Sequence, residues 1–276
     1  MKIQFQRLRR YLAFLRHEYR EDRCGQAAAS LAFGTLLSIV PLAALLAWLL
    51  RPFHRDLKAM VAPLGDYFLP TPELQTVIQA NIEHYADNAG SMGLFGLVFF
   101  LFVGWGMLMS VESIINDIWH VRHRRGQVHK LGTFWIAVVV SPLIFIASAA
   151  LNQSLSRALI LGGLEGKAFS KLLLQDLLPF LMLVASLSLG YWILPHTHVR
   201  KRAAGIGALV AALLYHLARL IFVQYLNYVS TFDRIYGILW VIPAFLMWLF
   251  VVWSVVLIGA EVSYTVDNRW EPEEQG

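Results

Sequence analysis

Charge is scarce in this sequence. Asp, Glu, Lys and Arg make up 15% of its 276 residues, against about 25% in ordinary soluble domains. A water-soluble chain of this length buries a large core but still needs a charged surface, and there is too little here to build one. Cysteine is nearly missing as well. With Cys24 alone no intrachain disulfide forms, and the orientation argued below places that thiol on the reducing side, free and inert. No glycine-rich loop ending in Lys and Ser or Thr occurs, which excludes an ATPase motor within the chain. Nine histidines are present, yet no cluster of acidic residues accompanies them in sequence. His120, His123 and His129 share one loop, and His196-Thr197-His198 runs on into Val199-Arg200-Lys201-Arg202, where a hydrolytic metal motif continues with Asp and His. The expectation is therefore of no catalytic residue, no metal and no cofactor. Short alternating segments of about ten residues, the mark of a transmembrane barrel, are absent too.

What the sequence has is apolar residues, 58% of the total, with a mean hydropathy of +0.57. They are gathered in long blocks. A bilayer core roughly 30 Å thick needs about 20 mostly apolar residues to be crossed by a helix. Six blocks meet that length: about 27–50, 92–111, 132–151, 177–194, 203–226 and 239–262. The fourth is the shortest. The fifth is the least clean, since Tyr215, His216 and Arg219 interrupt it. The fold class expected is all-α: a polytopic membrane helix bundle of six transmembrane helices plus amphipathic interfacial helices, forming one membrane domain over 1–276. The first block is too long for the apolar part of a cleaved signal peptide and follows a polar stretch, so it reads as a retained span.

The placement of Lys and Arg sets the orientation. Residues 1–26 carry Lys2, Arg7, Arg9, Arg10, Arg16, Arg20 and Arg23. Loop 112–131 carries Arg122, Arg124, Arg125 and Lys130, and loop 195–202 carries Arg200, Lys201 and Arg202. The intervening loops hold fewer. The N-terminus is thus expected in the cytoplasm, and six spans return the C-terminus there, in a bacterial inner membrane. The same rule accounts for the basic loops without nucleic acid, which is not expected as a partner.

Two segments outside the spans have amphipathic character. In the first 20 residues Phe5, Leu8, Leu12, Leu15 and Tyr19 share a face, with basic residues around the rest. Such a helix lies in an anionic leaflet or packs on the end of the bundle. The expected partners are accordingly membrane lipids, with anionic headgroups at the cytoplasmic face. In the first outer loop Thr71, Pro72 and Glu73 start a second helix, and Leu74, Val77, Ile78, Ile82 and Tyr85 form its apolar stripe.

Ionisable groups within spans are costly and tend to face a partner or water. His216 and Arg219 stand three apart on one face of the fifth span. Glu261 lies near the inner end of the sixth, and Glu112 and Asp117 flank the inner end of the second. These five form the candidate intramembrane polar site. Structural pairing of Arg219 with an acid, or snorkelling to an interface, is the plainer alternative. Gly93, Gly96, Gly104, Gly106, Gly205 and Gly207 permit close helix approach, and Pro41, Pro142 and Pro243 are candidates for kinks.

Several runs carry a specific likeness. Ala28-Ala29-Ser30-Leu31-Ala32-Phe33-Gly34-Thr35-Leu36-Leu37-Ser38-Ile39-Val40-Pro41, preceded by Asp22, resembles the first span of the YihY/BrkB family. So do Ile115-Asn116-Asp117-Ile118-Trp119 before a basic loop, and Tyr236-Gly237, Trp248, Trp253 and Gly259-Ala260-Glu261 near the end. The resemblance implies a bacterial inner-membrane protein of about six spans. The family once bore the label ribonuclease BN, a misassignment with which the missing metal motif agrees. Other labels in the family concern virulence, serum resistance and transport of envelope lipid or lipopolysaccharide precursors. The leading expectation is a translocator of an amphiphilic or lipid-like envelope molecule. A non-catalytic membrane scaffold that binds partner proteins is the alternative, and a membrane hydrolase or ribonuclease is disfavoured.

Overall fold

The computed structural model describes residues 2–49, 102–121, 177–229 and 240–268, with backbone alone for 2–8, 12, 39–49, 227–229 and 241. All regular structure among the described residues is helical. The helices are α1 (Lys2–Glu21), α2 (Cys24–Leu49), α3 (102–118), α4 (Leu178–Ile193), α5 (Lys201–Val229) and α6 (Val241–Asp267). Among the described residues two helical stretches, Lys201–Leu226 of α5 and Ile242–Asp267 of α6, are long and apolar enough to cross a membrane, and α4 is apolar but shorter. The expected span at 132–151, the start of that at 92–111, the outer helix near Leu74–Tyr85 and basic residues 122–130 lie outside the described residues.

Helix α5 shows how this bundle differs from a water-soluble one. Its buried face is made of the smallest side chains: Ala204, Ala208, Ala211 and Ala212 are fully buried, at three- and four-residue spacing. Its opposite face carries Leu209, Leu213, Leu217, Leu220 and Ile221, all exposed. In water this would be inverted. In lipid the tails solvate leucine as well as a protein interior does, so helices associate by close backbone approach over small residues.

That approach is closest where α5 meets α6. A Cβ placed at Gly207 would strike the Gly259 carbonyl and lie 2.7 Å from Ser263 Cβ; one placed at Gly259 would lie 2.6 Å from both Ala211 Cβ and Tyr191 Oη. Gly205, by contrast, has open space around it. Of the two glycines that open the fifth block, only Gly207 is needed for the contact. Further along, the Tyr215 and Trp248 rings lie 5.8 Å apart and Phe222 and Trp248 5.0 Å. Residues 207 to 222 of α5 thus run against 259 back to 248 of α6, and the pair is antiparallel.

Two apolar clusters follow from this arrangement. One joins Cys24 and Ala28 of α2, Ile115 and Ile118 of α3, Tyr191 of α4, Ala204 and Ala208 of α5 and Leu257 and Ala260 of α6. The other holds Tyr215, Phe222, Phe245 and Trp248, farther from the start of α5. Polar bonds cross between helices: Tyr191 Oη donates to the Val256 carbonyl at 2.6 Å, and Trp253 Nε1 donates to Thr35 Oγ1 at 2.9 Å. Helix α1 packs against α6 and α2. Its half-buried face includes Tyr11, Phe14, Leu15, Glu18 and Tyr19, while Arg9, Arg10, Arg16 and Arg20 are exposed.

Some expectations move. Helix α6 starts at Val241, so Pro243 sits in its first turn, where backbone N–H groups have no intrahelical acceptor. It therefore breaks no bond, and it does not kink the span. Helix α6 also continues past Val262 to Asp267, which places Glu261 well within the helix. Similarly α3 runs on to 118, carrying Glu112 and Asp117 on its last two turns.

Candidate functional site

The five residues of the expected polar site do not converge. Glu261 stands two positions beyond Gly259, at the depth of Gly207. His216 lies nine residues farther along α5 and Arg219 twelve, which at 1.5 Å per residue is about 14 and 18 Å away. His216 Nδ1 donates to the Ala212 carbonyl at 2.9 Å, one turn back on its own helix, and its ring meets Phe180 and Tyr215 edge-on. Arg219 is half-buried. Glu112, Asp117 and Glu261 belong to the end of the bundle where α1 turns into α2, but they fall into two separate groups.

The first group centres on Glu112. Its Oε1 accepts from His196 Nε2 at 2.8 Å, and both side chains are almost wholly buried, 6% and 3% exposed. Asn116, one turn along α3, holds the arrangement. Its Nδ2 donates to the Glu112 carbonyl at 2.7 Å and to the Leu194 carbonyl at 3.4 Å, and its Oδ1 accepts the His196 backbone N–H at 2.7 Å. After α4 ends at Ile193, the chain is therefore drawn back onto α3 by one amide side chain. Beside this pair is a cavity of about 430 Å³ lined by Ser30 of α2 and Met109, Ser110, Glu112, Ser113, Ile114 and Asn116 of α3. It is a polar recess between helices whose outer faces are apolar. His216 and Arg219 do not line it.

The second group gathers where α1 turns into α2. Asp22 and Arg23 form the turn, with Arg23 in a left-handed backbone conformation at φ 51°. Cys24 opens α2 and donates from Sγ to Glu261 Oε1 at 3.2 Å. Asp22 Oδ1 lies 3.6 Å from Nε2 of His120, which follows α3 in a second left-handed turn at φ 52°. Tyr264 backs the His120 ring at 5.3 Å between centroids. The other oxygens of the two acids, Asp22 Oδ2 and Glu261 Oε2, are buried and receive no hydrogen bond. Burial pushes the Asp22 carboxyl above the usual carboxylate range, His120 pulls against that, and the acids Glu21 and Asp117 add to it. Asp117 itself is exposed.

A third contact closes the same end. Arg200 Nε donates to Asp267 Oδ1 at 2.9 Å, the Arg200 backbone N–H donates to the same oxygen at 3.1 Å, and Nη2 reaches the Val266 carbonyl at 3.3 Å. It ties the start of α5 to the end of α6.

Sequence reasoning left His196, Asn116, Asp22, Cys24 and His120 out of the candidate site. Their partners are remote in the chain: Cys24 meets Glu261 across 237 positions and Asn116 meets His196 across 80. One signal could have found them. On the expected topology all five stand at the inner ends of spans, the same depth as Glu112 and Glu261.

Comparison with known proteins agrees with a bundle of this composition. Residues 15–276 match the family described as Virulence factor BrkB. A UPF0761 membrane protein of Chlorobium chlorochromatii (strain CaD3) is 32% identical over 267 residues, covering 94% of this chain and 60% of that protein. One of Chlorobium luteolum (strain DSM 273 / BCRC 81028 / 2530) is 33% identical over 267 residues, covering 95% and 61%. One of Psychromonas ingrahamii (strain DSM 17664 / CCUG 51855 / 37) is 32% identical over 267 residues, covering 96% and 90%. The chain thus spans about three fifths of the length of the two Chlorobium relatives and nearly all of the Psychromonas one. No solved structure matches it. Small residues buried, leucines outward, apolar helices of spanning length and a family match over nearly the whole sequence lead to one conclusion: the chain belongs to the BrkB family and is an integral membrane protein.

Proposed function

We propose that this protein is a translocator of an amphiphilic, lipid-like envelope molecule, in a six-span bundle of a bacterial inner membrane with both termini in the cytoplasm. The observation that carries the reading is the cavity between α2 and α3. Three serines, an asparagine and Glu112, whose partner His196 stands behind it, line about 430 Å³ of space in helices whose outer surfaces suit lipid. A polar headgroup crossing an apolar layer needs hydrogen-bonding partners on the way, because each unsatisfied polar group costs several kcal/mol there. A hydroxyl-lined recess beside lipid supplies them.

The lining refines the ligand. It bears a carboxylate and, among its described residues, no lysine or arginine. It therefore fits a headgroup offering hydroxyl or amino donors. Anionic groups on the same molecule, or on neighbouring lipids, are met instead by the exposed Arg9, Arg10, Arg16 and Arg20 of α1 and by Arg23, Lys201 and Arg202. These residues also favour the cytoplasmic placement of this end. In this reading the protein is not an enzyme, and His216 and Arg219 are structural.

The test is lipid movement in proteoliposomes carrying headgroup-labelled phospholipid in both leaflets. The native chain should expose inner-leaflet label faster than protein-free vesicles. Ser113→Phe, which fills the recess, should slow it, and Arg219→Ala should change it little. A native chain no faster than empty vesicles would sink the reading. Equal slowing by both variants would return the path to Arg219.

A further inference from the structure

We propose that the end of the bundle where α1 turns into α2 is a binding site for a divalent first-row metal cation of zinc or manganese character, held by Glu18, Asp22 and His120. One ligand atom from each of these three side chains lies within 4.8 Å of the other two, and the Asp22 and His120 atoms are 3.6 Å apart. Ligands around an ion at about 2.0–2.2 Å lie roughly 3–4.4 Å apart, so the 3.6 Å contact fits as it stands and the widest separation allowed here closes with a shift of a few tenths of an ångström. Two carboxylates and an imidazole suit zinc and manganese better than magnesium or calcium, which take oxygen alone.

Two carboxylates and an imidazole in proximity are not by themselves a site. Here a second observation points to a ligand. Glu261 comes from α6, is 1% exposed, and its carboxyl group is within hydrogen-bonding reach of Asp22. Yet neither Glu261 Oε2 nor Asp22 Oδ2 receives a hydrogen bond, and both atoms are buried. Two buried carboxyl groups thus adjoin with at most a shared proton between them, and leaving both ionised is costly in a low-dielectric setting. Among the described residues the basic side chain in contact with Asp22 is His120, which is 51% exposed and leaves Glu261 Oε2 without a partner. A divalent ion on Asp22 answers this deficit, and exposed His120 gives it a route in from water. Because Glu18 lies in the last turn of α1, Asp22 in the turn that follows and His120 just after α3, the ion would fasten the end of α1 to α3. Glu261 would then position Asp22 without touching the ion.

The experiment uses the purified full chain in detergent, with its affinity tag removed and metal stripped by chelator. Titration with zinc chloride is followed by calorimetry, and bound metal is counted by mass spectrometry. One equivalent per chain is expected, with a higher unfolding midpoint than in excess chelator. Asp22→Asn and His120→Ala should each weaken binding at least about tenfold, and Glu261→Gln about ten- to a hundredfold. His17→Ala should leave affinity unchanged, because His17 is exposed and its contact at 3.9 Å is with Glu21, outside the three ligands. His120 is half exposed, so its variant should melt as the native chain does in chelator and lose only the zinc-dependent rise. Absence of a stoichiometric ion on the native chain overturns the proposal. So does native affinity in both Asp22→Asn and His120→Ala.

Discussion

Glu112 and His196 are both nearly inaccessible to water, so their contact at 2.8 Å matters far more than the same contact at a surface. Removing one partner leaves the other buried with an unmet polar group, a change that costs about 3–5 kcal/mol. His196→Ala is therefore expected to lower the thermal unfolding midpoint of the purified chain strongly. Glu112→Gln keeps an acceptor for the imidazole N–H and should cost far less. If the two variants melt together, the pair is not buried as described. Arg200 and Asp267 give a useful contrast. Their geometry is good, with two donors on one oxygen, but Arg200 is 45% exposed and exposed pairs contribute about 0.2–1 kcal/mol. Both contacts join helices far apart in sequence, and neither could be read from local pattern. His196 looked like half of a weak His-x-His motif, while its actual role depends on Asn116 pulling the residues after α4 onto α3.

At the scale of elements, the α5–α6 crossing sets the bundle. Its geometry depends on Gly207 and Gly259 having no side chain, since a Cβ at either would overlap atoms of the facing helix or of Tyr191. The obstructing atom at Gly207 is backbone, which cannot swing aside. Gly207→Ala should therefore force the helices apart and destabilise by about 1–3 kcal/mol. Gly205→Ala, with nothing near it, should be neutral or mildly stabilising because alanine favours helix over glycine by about 0.8–1.0 kcal/mol. Unfolding of both variants in the same detergent separates them, and equal effects would contradict the packing. Small residues in this block were visible in the sequence as permitting close approach. Which of the two glycines makes the contact was not, because it depends on the rotation of α5 about its axis.

For the whole molecule, orientation is the testable property. Cys24 is the sole cysteine, so a Cys24→Ala chain is a clean background for placing a thiol elsewhere. Arg202→Cys, exposed at the start of α5, is expected to react with a membrane-impermeant maleimide in inside-out vesicles and to resist it in intact spheroplasts. The reverse pattern would invert the orientation and with it the side on which the α2–α3 cavity meets the aqueous phase. The zinc test and the lipid-movement test address different groups, so either can fail without the other.

The membrane character of this chain was settled by sequence alone, because the hydrophobic effect acts on composition and run length. Scarce charge and long apolar blocks cannot be accommodated in water whatever the tertiary arrangement. Likewise helix was the expected secondary structure, since lipid demands that backbone groups be satisfied within each segment. Which polar side chains meet was decided only by the folded structure. Contact between Glu261 and Cys24, or between Glu112 and His196, depends on how helices are rotated and at what depth they cross. That in turn is set by a few small residues such as Gly207 and Gly259, and not by the polar residues themselves. His216 and Arg219 lie at a different depth from the three acids for this reason. Spacing along one helix fixes a shared face, but depth relative to another helix is a tertiary quantity. At the end where α1 turns into α2, the buried acids Glu112 and Glu261 and the half-buried Asp22 fall into two separate groups.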